Sequence, residues 1–454
     1  WLSRPLKIGT VCSGTDAPIL ALEQVLRALA DRGGRRLPHR ARMEHVFSCE
    51  NVPFKRSFIA ATTRPPLLFN DVTEIAGGGR GKCHDGKVRS VPEGFDVLVA
   101  GTECKDFSNL TTTPKGLRGG GRSDITFWAT VDLVGLRQPP LVILENVEKC
   151  PSAEMEQAFR DIGYDAVHTK LCTSDYLLPQ SRGRAYFVFC HREKAQFIDG
   201  GDGDAWVDCM DRLGSRSRRP SLPKEKSFAW TDFLISDVDT MYSENKGKKP
   251  RGKPLSESLD AKWLEEIRAK EEEEGLVEYD SPGGRPYSDA TKGIDALALL
   301  PDRAKMRLDV RCKQAQAAGI DPFAVPLLWN PAQQLRFTGA GFDKKDGGAK
   351  LIAPCVTPKH EWIVSSRKAP LTGVEAILLQ GISLKPYGDK AMKKFNDKQL
   401  RDLAGNAMST TVVAAVFLSC FLNCERVANG YDAKQMTSVD ASGGNNNKRT
   451  RFSV

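Results

Sequence analysis

The chain has 454 residues and twelve cysteines, but no Cys-x-x-Cys pair and no regular cysteine spacing. That argues against a zinc ribbon and a disulfide framework, and points to a reducing compartment. Cys83-His84 and the Cys420, Cys424 pair offer no tetrahedral ligand set, so no metal site is expected. A membrane-length apolar run is also missing. The longest, Thr411 to Leu422, is interrupted by Ser419 and Cys420 and falls short of the roughly 20 residues a spanning helix needs, so it reads as a core helix and no membrane partner is expected. There is no internal repeat, no secretory signal at the start and no three-glycine dinucleotide fingerprint. The first residue is Trp1 rather than Met, so the chain reads as a piece of a longer protein with room for additional domains. Neither sign of charge dominates: 66 Lys and Arg against 57 Asp and Glu give +9 and a pI near 8.9. This favours an anionic partner without establishing one.

What is present, over the first 190 residues, is alternation. Apolar runs at Leu6 to Cys12, Glu44 to Cys49, Leu67 to Phe69, Phe95 to Ala100, Leu141 to Leu144, Ala166 to Leu171 and Ala185 to Cys190 read as strands. Between them Pro18 to Ala30, Pro53 to Ala61, Ile125 to Leu136 and Ala153 to Ile162 have helical spacing. Strand and helix in alternation predict an α/β fold with a doubly wound, Rossmann-like sheet. Arg32 to Arg42 and Gly77 to Gly94 read as surface insertions. Beyond His191 the pattern changes: Arg212 to Lys226 holds six basic residues against one acidic, and Lys246 to Lys253 holds five basic residues. A short amphipathic helix is expected around Trp263, Leu264 and Ile267, ahead of Glu271 to Glu274. The organisation expected is a catalytic and cofactor-binding domain over 1–195, a smaller domain with basic loops over 196–365, a return to the first domain over 366–430 and a disordered basic tail over 431–454.

Several residues stand where such a sheet places chemistry, at the carboxyl ends of strands. Cys104 follows the strand ending at Ala100, and Glu145 follows the strand ending at Leu144. A thiol beside a carboxylate that its apolar neighbours partly bury suits a nucleophile with a proton donor, so the chain reads as an enzyme. The bland alternative for Cys104 is a small buried hydrophobe. Gly14 sits in a tight turn after the first strand, where backbone can approach a nucleotide-like ligand. Glu50 and Asp71 follow the second and third strands, placed for ribose hydroxyls and an adenine amine; each taken alone could be only a helix cap. Lys115 to Arg122 reads as a mobile basic loop able to close over an anionic substrate. Arg182 and Arg184, at i and i+2 entering a strand, point to one side, so one could fix the partner and the other reach the substrate. Ala404 to Ser409 reads as the opening of an apolar helix, capped by Asn406 or Ser409.

Taken in order, these stretches resemble the cytosine-C5 methyltransferase family, colinearly from Leu6 to Val427. Val11 to Asp16 is similar to its first motif, with Cys12 where phenylalanine is usual and Asp16 replacing a glycine. Gly101 to Ser108 resembles the nucleophile motif. Glu145-Asn146-Val147 is an unaltered signature, and Gln180 to Arg184 fits Gln-x-Arg-x-Arg. Arg367 through Gln380-Gly381 and Gly405-Asn406-Ala407 match the last two motifs. The resemblance implies a target-recognition role for the smaller domain, double-stranded DNA as partner and S-adenosylmethionine as cofactor, with S-adenosylhomocysteine as product. Cys12, Ser13, Gly14, Thr15, Glu50, Asn51, Asp71, Val72, Asn406 and Met408 would bind that cofactor, and Cys104, Glu145, Arg182 and Arg184 would be catalytic. In the implied reaction Cys104 adds to C6 of a flipped-out cytosine, Glu145 protonates N3 and Arg184 holds O2. The variants of the first and last motifs look most like divergent eukaryotic members, some of them ATPase-coupled, which implies a nuclear location. No ATPase motif is present. A tRNA methyltransferase of the same family and a catalytically silent binding module are the alternatives. Glu103 and Lys105 flank Cys104 where proline and glutamine are usual, and a carboxylate and an ammonium would shift the thiol in opposite directions.

Overall fold

The computed structural model describes residues 1–32, 42–107, 116–198, 200–214, 228–235, 257–276, 300–333, 335, 339–343, 348–359, 361–388 and 393–427. Residues 33–41, most of both basic segments and the whole tail from 428 lie outside the described residues, as do the expectations placed on them. Strand β1 (Leu6–Val11), helix α1 (Ala17–Arg32), β2 (Met43–Cys49), α2 (Pro53–Ala61), β3 (Leu68–Phe69) and α3 (Val72–Ala76) follow in alternation. A hairpin of β4 (Arg80–Lys82) and β5 (Val88–Ser90) precedes β6 (Val97–Gly101), α4 (Arg122–Arg137), β7 (Leu141–Val147), α5 (Ser152–Asp161) and β8 (Tyr164–Cys172). Then come β9 (Gln180–Ser181), β10 (Gly183–His191), β11 (Ala195–Phe197) and α6 (Asp204–Leu213).

Seven strands form one sheet in the order β3-β2-β1-β6-β7-β10-β8, with β10 antiparallel to both neighbours. The strands before it run parallel and are apolar on both faces, because helices cover both sides. Leu6, Ile8, Val97, Val99, Leu141 and Ile143 face one cluster, and Val11, Leu98, Ala100, Val142 and Leu144 face the other. The chain leaves β1 toward β2 on one side and returns to β6 on the other. The loops after β1 and β6 therefore flank the switch point, where an open α/β sheet leaves a crevice for ligands.

Gly77 to Gly94 is more structured than a surface insertion. Cys83 and Val91 are buried, and His84 N–H donates to Leu68 O across the edge of the sheet. The expected boundary at 195 also moves. β11 pairs antiparallel with β16 (Cys424–Arg426), and α6 buries Trp206 and Met210 in the same cluster as the sheet, so β11 and α6 pack with the larger unit. The polar, glycine-rich stretch before α6 is what disguises this.

The smaller unit holds α7 (Glu257–Glu273), α8 (Asp302–Ala317), β12 (Leu328–Trp329), β13 (Ala353–Pro354), β14 (Ile363–Val364) and β15 (Ala369–Pro370). A helix stands where the short one is expected: α7, which runs on into the acidic block. Its carboxylates are paired across to α8: Arg307 to Glu266 at 2.9 Å and Lys313 to Glu271 at 2.6 Å. Leu308, Cys312, Leu327, Trp329, Phe342 and Ile363 form a separate apolar cluster beneath. The chain returns through α9 (Gly373–Leu378), α10 (Asp397–Asn406) and α11 (Thr410–Asn423). α11 buries Val412, Val413, Val416, Phe417 and Cys420 in the main core, so its apolar run is a core helix. Asn406 closes α10 instead of opening α11. Ser409 takes the N-cap position of α11 without a side-chain cap bond, its hydroxyl donating to Gln380 Oε1 at 2.9 Å instead.

Candidate active site

A cavity of about 630 Å³ opens at the switch point, within the range typical of cofactor and substrate sites. Cys12, Gly14, Glu50, Asn51, Asp71 and Val72 line one part, and Cys104, Glu145, Arg182 and Arg184 another, with Asn406 at its wall. Ser13, Thr15 and Met408 do not line it. The turn explains why: Cys12, Gly14 and Asp16 take φ of 51°, 57° and 56°, so the side chains no longer alternate as along a strand. Ser13 turns to the sheet, where its hydroxyl donates to Cys49 O at 3.1 Å; Thr15 is buried; Met408 packs beneath Gly101.

Asp16 stands where the family has glycine, and its left-handed φ shows why glycine suits the position. Asp is tolerated because three hydroxyls donate to its buried carboxylate: Thr10 at 2.6 Å, Ser48 at 2.7 Å and Thr63 at 2.8 Å.

The two acidic candidates hold backbone as well as line the cavity. Glu50 accepts from Gly14 N–H at 2.8 Å and from Val52 N–H at 2.9 Å, fixing the turn and the entry to α2 together. Asp71 caps α3 through Thr73 N–H at 2.9 Å. The capping and ligand-facing readings coexist: each residue has a bonded oxygen and a place on the cavity wall. Carboxylates at two successive strand ends, the first bonded to the amide of a positive-φ glycine, could hold the ribose and amine of an adenosyl group.

Cys104 lies in the short loop after β6. Its amide donates to Glu103 Oε1 at 3.2 Å, and Lys105 pairs with Glu103 Oε2 at 3.1 Å, so the two unusual neighbours hold each other. Burial pushes the Cys104 thiol up to about 11, Glu145 adds to the rise, Arg184 opposes it, and Glu103 contributes again. The loop is tied to α4 reciprocally: Asp106 N–H donates to Ser123 Oγ at 3.1 Å, and Ser123 N–H donates to Asp106 Oδ2 at 2.9 Å. Residues 108–115 lie outside the described part. The basic stretch that follows is fastened rather than loose, since Leu117 is buried and Trp128 Nε1 donates to Leu117 O at 2.9 Å.

Glu145 ends up opposite Gly101 on β6 and Tyr186 on β10. Its side chain is 12% exposed and pairs with Arg184, Nε to Oε1 at 3.0 Å. Arg182 has a different task. Its guanidinium donates to Val356 O at 2.9 Å, Gly405 O at 3.1 Å and Ala407 O at 2.8 Å. It therefore joins β9–β10 to the segment after β13 and to the end of α10, while both arginines line the cavity.

Sequence reasoning missed the buried polar network behind these residues. Gln180 Nε2 donates to Leu379 O at 3.1 Å, and its Oε1 accepts from Val356 N–H at 3.0 Å and Gln380 Nε2 at 3.2 Å. Ser409 and Thr173 complete it at 2.9 Å. Gln180 and Gln380 are visible in the sequence only as motif members. Gly405 is required by close approach: a Cβ there would fall 2.1 Å from Pro358 N. Cys355, which no motif singles out, lies 3.6 Å from Arg182 Nη1 and 3.9 Å from Arg184 Nη2.

The family model for C-5 cytosine-specific DNA methylases matches residues 30–421. A DNA (cytosine-5-)-methyltransferase, DMT5, of Cryptococcus neoformans var. grubii is 32% identical over 452 residues, covering 96% of this chain and 18% of the relative. DMT5 of Verticillium dahliae is 26% identical over 483 residues, covering 92% and 19%. The chain thus spans about a fifth of the length of these relatives. The crystal structure of S. pombe Dnmt2 methyltransferase superposes with a TM-score of 0.46 at 13% identity, covering 92% of this chain and 98% of that one. With the family match running over most of its length, the chain belongs to the C-5 cytosine-specific DNA methylases.

Proposed function

We propose that the chain transfers a methyl group to C5 of cytosine in double-stranded DNA, through a covalent adduct of Cys104. The observation that carries this reading is the convergence of Cys104, the Glu145–Arg184 pair and the Gly14–Glu50–Asp71 wall on one cavity. Cytosine C5 is a poor nucleophile until C6 is attacked. The Cys104 thiolate forms the bond to C6, and Glu145 lies beside Arg184 to meet the charge and proton demand at N3 and O2. S-adenosylmethionine, when bound against Glu50, Asp71 and the Gly14 turn, supplies the electrophilic methyl group. Loss of the C5 proton then expels the Cys104 sulfur and restores the enzyme. A cytosine within a duplex has to leave the stack to reach a cavity of this kind. The basic segments between 212 and 253 favour phosphate contacts, and DNA as substrate accords with a nuclear location.

The test is a covalent trap. The protein is incubated with S-adenosylmethionine and 5-fluorocytosine duplex DNA, in parallel with a 5-fluorocytosine tRNA and with Cys104→Ser, and adducts are read on a denaturing gel. A DNA adduct lost in Cys104→Ser is expected. An adduct on tRNA alone would reassign the substrate, and none on either would end the enzymatic reading.

A further inference from the structure

We propose that Cys355, its sulfur held between Arg182 and Arg184, positions Arg184 for the reaction, a role that rests on the methyl-transfer reading above. The argument begins with charge. Two guanidiniums meet at the β9–β10 junction, Arg182 3% exposed and Arg184 with a side chain 16% exposed, and the carboxylate paired to them is Glu145, on Arg184. Arg182 spends its donors on three backbone carbonyls, which carry no formal charge. Buried charge is costly unless compensated, and the group placed to compensate is the Cys355 sulfur between the two arginines. Burial, and the approach of Sγ to Val356 O at 3.7 Å, favour the neutral thiol, but the two arginines outweigh burial and lower the Cys355 pKa.

The sulfur is placed by backbone rather than by chance. β13 pairs in parallel with β9, Ala353 N–H donates to Pro179 O at 2.8 Å, and Val356 N–H donates to Gln180 Oε1 at 3.0 Å. Cys355 is thereby pinned on both sides.

Arg184 then has three nitrogens with three anchors. Nε pairs with Glu145 Oε1 at 3.0 Å, Nη1 donates to Gly183 O at 2.6 Å, and Nη2 faces Cys355 Sγ at 3.9 Å. Nη2 is the nitrogen that neither Glu145 nor Gly183 holds, so losing the sulfur loosens the guanidinium at that atom. Cys355 is a positioning residue in this arrangement, since it acts through Arg184.

Two measurements on the folded protein test the proposal. First, thiolate ultraviolet absorbance is titrated in the unmodified protein and in Cys355→Ser. The difference should show one thiolate forming below the ordinary cysteine midpoint of about 8.5; no such difference overturns the proposal. If the serine variant does not fold, the unmodified protein alone decides, by whether one thiolate forms in that range. Second, the rate of adduct formation on 5-fluorocytosine DNA should fall roughly ten- to a hundredfold in Cys355→Ser, the order expected of a misplaced catalytic group. The DNA concentration for half-saturation should stay unchanged, and Cys355→Asp, which restores the negative charge, should recover part of the rate. A serine variant as fast as the unmodified protein overturns the positioning role. If the unmodified protein forms no adduct, the methyl-transfer reading fails, and the absorbance titration still judges the thiolate.

Discussion

Cys104 sits among groups that oppose its ionisation, with burial and Glu145 as the leading causes and Arg184 only partly offsetting them. Its thiol is raised to about 11, so below that pH the neutral form dominates and the thiolate grows about tenfold for each unit of pH. Alkylation of Cys104 in the free protein, followed by peptide mass spectrometry, should therefore keep accelerating through pH 9 without a plateau. Glu103→Gln removes one of the charges that raise the thiol and should speed alkylation at pH 8; no change would mean that Lys105 already cancels Glu103. Asp16 poses a separate question of strain and satisfaction. Asp16→Ala keeps a side chain at φ 56° and strips three hydroxyls of their acceptor. It should cost about 2–4 kcal/mol in a denaturant titration. Asp16→Gly should cost less, because glycine relieves the backbone.

Among the elements, the two arginines that the sequence leaves alike separate cleanly by partner. Arg182→Lys cannot reach three carbonyls on two segments and should lose on the order of 3–5 kcal/mol of stability, measured by denaturant. Arg184→Lys should leave stability near that of the unmodified protein and abolish most adduct formation. The reverse pattern would exchange their roles. The parallel strands are legible because both their faces are buried, which leaves an unbroken apolar run, and Pro53 marks the start of α2 to the residue. Other features are not local. The hairpin β4–β5 hides in a glycine- and arginine-rich stretch whose buried side chains are only Cys83 and Val91. The break between α10 and α11 reads in the sequence as a single helix opening, because nothing local shows that Ala407 leaves the helical region at ψ 146° to present its carbonyl to Arg182. Motif membership alone points Ser13, Thr15 and Met408 to the cofactor, and three left-handed residues in five turn the side chains of the first two elsewhere.

At the scale of the whole molecule, the catalytic body is readable from the sequence and the smaller unit is not, for one physical reason. The body repeats a strand–helix unit with strong periodicity. The smaller unit, besides its apolar cluster, relies on ion pairs between α7 and α8 and on two-residue strands, and neither of these leaves a period in the sequence. Its charge is legible even so. The five basic residues Lys246, Lys248, Lys249, Arg251 and Lys253 carry no balancing acid within their stretch. Each phosphate that such a group neutralises releases counterion and steepens the fall of affinity with salt, by about 0.9 in the log–log slope. Replacing all five with glutamine should therefore flatten the salt dependence of duplex binding by about 0.9 for every phosphate that is no longer neutralised. Adduct formation at saturating DNA should be unaffected, since none of the five is among the residues that line the cavity. The measurement is a series of duplex affinities across salt for both proteins. Parallel slopes would mean that these residues do not meet phosphate, and a lower rate at saturation would mean that they act on the site itself rather than on the grip.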